Sequence, residues 1–217
     1  MMKKAVLFAC VAWLGVGAAF GGLLSEDPGE LTVAGQYFFP GLGDIDLFES
    51  GYGATVSYRE WFSFPWGVGI NLGVAQWQVD NGAQAFKYDA LTDYDGDALL
   101  IPFGASVYFN LIDWDNWNLI LDTGFQYVFV DSGVTVFNNE EGVPENVRGK
   151  QDVDIGGAIL WTLGAEYEYM VSENVYLLGG LGFQTDLMNG DTEYAGRSVR
   201  DASLAAVYAR LGAKFLF

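Results

Sequence analysis

The 217-residue chain has no histidine, one cysteine and only five prolines. Without histidine, acid–base chemistry would need a paired carboxylate site or a nucleophile with some other base. The lone Cys10 falls within the first 21 residues, so the remainder has no disulfide. An exported chain of that kind must draw stability from elsewhere, such as a closed sheet. Scarce proline argues against a linker-like, disordered composition. Basic residues are also few, 10 against 28 acids, for a formal net charge of −18. Such a surface excludes nucleic acid as a partner and suits solubility, repulsion or cation binding. Long apolar runs are missing too. Hydrophobic residues make up 51% of the chain, yet after residue 21 none of their runs approaches the 18 or so residues of a membrane helix.

The first 21 residues read as a cleaved secretory signal peptide. Lys3 and Lys4 form a positive start, Ala5 to Phe20 is uncharged and apolar, and small residues follow. Cleavage after Ala19 or after Gly21 fits. The run is short for a membrane anchor, and the apolar stretch before Cys10 is short for a lipoprotein signal. Removing the leader takes two lysines with it and leaves residues 22–217 more acidic still.

What the rest has is alternation with period two. In the last segment, Ala205, Val207, Ala209, Leu211, Ala213, Phe215 and Phe217 share one face, while Tyr208, Arg210, Gly212 and Lys214 share the other. Similar segments lie near 31–39, 51–62, 67–79, 98–110, 118–131, 155–170 and 175–186. Short connections (63–66, 111–117, 171–174) alternate with longer, more acidic ones (40–50, 80–97, 132–154, 187–203). Together these predict an all-β fold: a transmembrane, antiparallel, up-and-down β-barrel of eight strands over residues 22–217. In lipid only a helix or a closed sheet satisfies its own backbone. Short turns belong in the periplasm and long loops at the cell surface. Aromatics fit two interfacial girdles. Trp61, Phe62, Phe64, Trp66, Trp114, Trp117, Tyr169 and Phe217 lie at the short-turn side, and Phe39, Tyr52, Tyr127, Phe129 and Phe183 nearer the loops. Pro102 and the glycine-rich Gly179-Gly180-Leu181-Gly182 depart from an ideal strand, and both are tolerable at a bulge or bend.

The run Val207–Phe217 resembles the terminal signal of bacterial outer-membrane proteins. The whole of residues 22–217 is similar to the small eight-stranded OmpA, OmpX and OmpW superfamily. The resemblance implies a Gram-negative outer-membrane location, contact with outer-membrane lipid, and recognition of Phe215 and Phe217 by the barrel assembly machinery. It implies no periplasmic peptidoglycan-binding domain after the barrel. Enzymatic barrels of the deacylase, palmitoyl transferase, phospholipase and omptin families use an active-site histidine, so the chain is expected not to be an enzyme.

By parity the lumen charges are Arg59, Asp122, Glu166, Glu168, Arg210 and Lys214, three basic and three acidic. An eight-stranded bore is just wide enough to be filled by side chains, and buried charges must pair. A plugged polar lumen follows. Asp80, Asp89, Asp93, Asp95 and Asp97 crowd the second long loop. Asp93-Tyr94-Asp95-Gly96-Asp97 lacks the glycine placement and later glutamate of an EF-hand loop, so it reads as a solvated acidic loop. Arg148, Lys150, Arg197 and Arg200 are interspersed in the later loops. No cofactor or metal site is assigned. Two functions remain: a structural or surface-interaction protein with extracellular ligands, or a narrow porin-like channel for small solutes. The balanced, charged lumen favours the first. Only Leu100, Pro102, Ile120 and Leu178 hint at the apolar lumen that would favour the second.

Overall fold

A computed structural model describes residues 29–41, 47–80, 92–138, 149–194, 197–199 and 202–217. The leader, Cys10, Asp89, Arg148 and Arg200 lie outside the described residues. Eight strands close into an antiparallel barrel: β1 (Glu30–Pro40), β2 (Phe48–Ser63), β3 (Trp66–Val79), β5 (Asp97–Trp114), β6 (Trp117–Ser132), β9 (Ala158–Ser172), β10 (Val175–Met188) and β13 (Ala206–Leu216). Each barrel strand pairs with its sequence neighbour in the barrel, and β1 closes on β13 from Glu30↔Leu216 to Pro40↔Ala206.

The alternation of the sequence becomes the two sides of this wall. Large apolar residues such as Leu211 (75% exposed), Leu181 and Phe125 stand on the outside. In water this would be an exposed apolar surface far beyond what a soluble monomer carries; it suits lipid. Each strand has 11 to 18 residues, enough for the roughly 9–11 needed to cross a bilayer at a tilt.

The long connections are not plain loops. They carry five further strands, β4 (Thr92–Asp95), β7 (Thr135–Asn138), β8 (Gly149–Ile155), β11 (Thr192–Tyr194) and β12 (Arg197–Val199), which form a second sheet in the order β12-β11-β8-β7-β4. The acidic segment at 93–97 is therefore corrected. Asp93 and Asp95 lie on a strand paired with β7, and Gly96 takes a left-handed φ of 114° where β4 passes into β5. Ile155, expected at the start of the sixth barrel strand, belongs instead to β8.

The β10 glycines sit at no register shift. Pairing of β10 runs without a register shift from Tyr176 to Asp186 on one side and throughout its ladder with β13. Here glycine provides room. A Cβ at Gly182 would collide with the Tyr208 ring, and one at Gly180 would lie 2.9 Å from Arg210 Nε. Pro102 does interrupt a ladder: pairing of β3 with β5 passes from Leu72↔Phe103 to Ala75↔Leu100 with nothing between. Proline has no N–H to give.

Candidate functional site: the filled lumen

The bore is filled in storeys. At the short-turn end lies an ionic floor built from five strands. Parity on β2, β9 and β13 turns Arg59, Glu166, Glu168, Arg210 and Lys214 inward, and β6 contributes Asp122. All six of the expected charges meet here, together with one that the sequence reading did not include, Glu30 on β1. Arg59 is the hub. Its Nε pairs with Glu30, its Nη2 donates to Glu168 Oε1 at 2.5 Å, and its Nη1 lies 3.7 Å from Glu166. The guanidinium sits 4.9 Å from the ring centroids of both Trp61 and Tyr108. Trp61, expected in the outer girdle, lies under Arg59 instead. Lys214 Nζ pairs with Glu168, donates to Glu30 Oε1 at 3.2 Å, and lies 4.3 Å from the Tyr176 ring centroid.

A second group adjoins it. Arg210 donates to both oxygens of Asp122, at 3.3 and 3.2 Å. Its Nε faces Glu166 Oε2 at 3.2 Å without a hydrogen bond. Gly164 and Gly180 make space for this pair, since a Cβ at Gly164 would strike the Asp122 carboxylate. Glu168 is wholly buried, and Lys214, Arg59 and Glu166 nearly so. Such charges persist in a low-dielectric interior only when held together.

Above the floor is a chamber of about 60 Å³, room for about four waters. Its polar lining includes Gln36, Thr55, Ser57, Asn71, Gln126 and Gln184. Asn71 donates to Ser106 and Gln184 to the Leu204 carbonyl.

Above the chamber, the loop end is apolar. Phe38, Phe48, Trp77, Leu100, Val128 and Leu160 from the barrel meet Leu47, Tyr94, Val134, Val136, Val153 and Leu204 from the connections. Phe38 and Phe48 pack on Trp77 at centroid distances of 5.5 and 5.4 Å. This half departs from the expected charged lumen. Leu100 belongs to a full apolar layer, to which the connections contribute Leu47, Tyr94, Val134, Val136, Val153, Ile155, Ala202 and Leu204. Phe215 stands on the outer face of β13. Phe217 follows it, its N–H donating to the Gly29 carbonyl at 3.2 Å and its ring 6.4 Å from that of Tyr58.

A closed wall with an apolar outside and a side-chain-filled inside is the fold of the small eight-stranded outer-membrane β-barrels. OprG, an outer membrane protein from Pseudomonas aeruginosa, matches with a TM-score of 0.54 at 12% identity, over 88% of this chain and 97% of that one. Neisserial surface protein A matches with 0.50 at 12% identity, over 87% and 96%. A major outer membrane protein from Thermus thermophilus matches with 0.50 at 16% identity, over 87% and 99%. No family model and no curated protein sequence matches the chain.

Proposed function

We propose that the chain is a Gram-negative outer-membrane protein with a largely plugged lumen and a structural or surface-interaction role. Residues 1–21 export it, the short turns face the periplasm, and the long acidic connections stand at the cell surface. The observation that carries this reading is the pair of stacked seals, ionic below and apolar above, within one narrow bore. The role is non-catalytic, in keeping with a chain that has no histidine. Planar-bilayer recording of the refolded barrel tests the plug: no steady conductance is expected, and steady conductance from the unaltered protein would overturn it. For orientation, cysteines at exposed Glu193 and Asp115 should label in intact cells at the first position only.

Partners follow from the same reading. The outer face meets outer-membrane lipid, and the barrel assembly machinery reads the strand that carries Phe215 and Phe217. Deleting Phe217 should lower folded yield in cells and leave refolding in detergent nearly unchanged. Normal cellular assembly of the deletion would count against that role.

A second reading is a narrow channel for small solutes. The central chamber favours it. The same bilayer recording separates the two.

A further inference from the structure

The ionic floor does not balance. Among the described residues, the side chains that ion-pair in the bore are Glu30, Asp122, Glu166 and Glu168 against Arg59, Arg210 and Lys214, one negative charge in excess. Glu60, also buried, accepts the Tyr58 hydroxyl hydrogen bond and belongs to none of these pairs. An uncompensated buried charge is far more costly than a neutralised one, and such a group takes up a proton instead. The pairing shows where. Both oxygens of Glu168 and both of Glu30 face Arg59 and Lys214. Both oxygens of Asp122 accept from Arg210. Of the cations, Glu166 has only the 3.7 Å approach of Arg59 and the unbonded Nε of Arg210 at 3.2 Å. Its other polar neighbour is the Glu168 carboxyl, within hydrogen-bond reach. It is the acid held least, and it sits two residues from Glu168 on the same inward face of β9.

We propose that the lumen is a site for one proton, bound by the Glu166 carboxyl at neutral pH. With Glu166 neutral, three acids and three bases remain and every cation keeps an ionised partner. The charged and titratable groups around it are Glu30 from β1, Arg59 from β2, Tyr108 from β5, Asp122 from β6, Glu168 from its own strand, Tyr176 from β10, and Tyr208, Arg210 and Lys214 from β13. The part of β3 that reaches this level, Gly69 and Asn71, has no titratable side chain. The chamber borders Asp122 and Arg210, the polar neighbours of Glu166. The folded barrel then binds one proton more than the unfolded chain, whose glutamates ionise near pH 4. Its stability therefore falls as pH rises from about 4 and levels off once the folded Glu166 has released its proton.

Infrared spectroscopy of the folded protein in lipid tests this. A protonated carboxylic acid carbonyl band, shifted by deuterium oxide, is expected at pH 7 and should vanish in Glu166→Gln. The urea midpoint of Glu166→Gln should match or exceed the wild type at pH 7 and lose its decline toward alkaline pH. Glu168→Gln should lower it. Wild-type protein with no such band overturns the proposal, and a band that survives in Glu166→Gln overturns the assignment to that residue. A midpoint that needs sodium or potassium in place of choline would assign the missing charge to a metal ion and also overturn it.

Discussion

The two ends of the bore are sealed by opposite chemistries, and only the upper seal draws on the connections as well as the spanning strands. Every member of the ionic floor stands on a spanning strand, at a position fixed by the pleat. The apolar seal is shared: Leu47, Tyr94, Val134, Val136, Val153 and Leu204 from the connections close over Phe38, Trp77, Leu100 and Leu160 from the barrel strands. The floor is thus intrinsic to the barrel, whereas the upper seal depends on how the second sheet sits above it. The consequences for mutation differ as well. Removing a cation from the floor leaves acids buried without a partner, while truncating the upper seal leaves a cavity that its surroundings partly fill.

The sharpest break in this comparison is Arg59→Ala. It strips the hub from Glu30 and Glu168 and should lower stability by about 5 kcal/mol, the upper end for a broken buried pair. Urea unfolding in detergent measures it, and a loss below about 1 kcal/mol would show that the floor is hydrated rather than buried. Trp77→Ala, which empties the centre of the upper seal, should cost about 3 kcal/mol and leave the infrared signature of the floor unchanged. Gly182→Ala should cost about 2 kcal/mol through overpacking against Tyr208. Restored stability in the double variant with Tyr208→Phe would point to the hydroxyl as the clash, and in that with Tyr208→Leu to the ring. At the small end, Asp95→Ala on the exposed second sheet should change the unfolding midpoint by less than about 0.5 kcal/mol. A larger loss would mean that the sheet's charges support the seal beneath it.

The spanning strands were legible because a period of two, repeated eight times, places each side chain in or out without further information. That parity named Arg59, Asp122, Glu166, Glu168, Arg210 and Lys214 as inward. Glu30 escaped because the first strand was begun at Leu31, one residue late. The period extended back through Ala34 and Thr32 would have turned Glu30 inward. The upper seal was not legible for a different reason. Thr135–Asn138 and Thr192–Tyr194 are too short to show a period, and their acidic neighbours conceal them. Val153 and Ile155 do alternate with Asp152 and Asp154, but the expected boundary between the third long connection and the sixth barrel strand falls between them and divides the signal. Nothing along the chain tells which short strands will pair across three separate connections. Trp61 likewise gave no sign that it would turn under a guanidinium rather than toward lipid.

Glu30 and Lys214 are 184 residues apart in sequence, yet they bond across the seam where β1 meets β13. Arg59 and Glu168 join the same cluster from the second and sixth barrel strands. The cluster therefore exists only once the wall is closed. An incomplete barrel would offer lipid an open row of backbone groups and at the same time hold charges whose partners have not arrived. Both penalties lift together when the seam forms. Intermediates with most strands in place gain little from them, so insertion should proceed as an all-or-none event. The Glu30–Lys214 bond acts as a clasp that fastens only when the ring is whole.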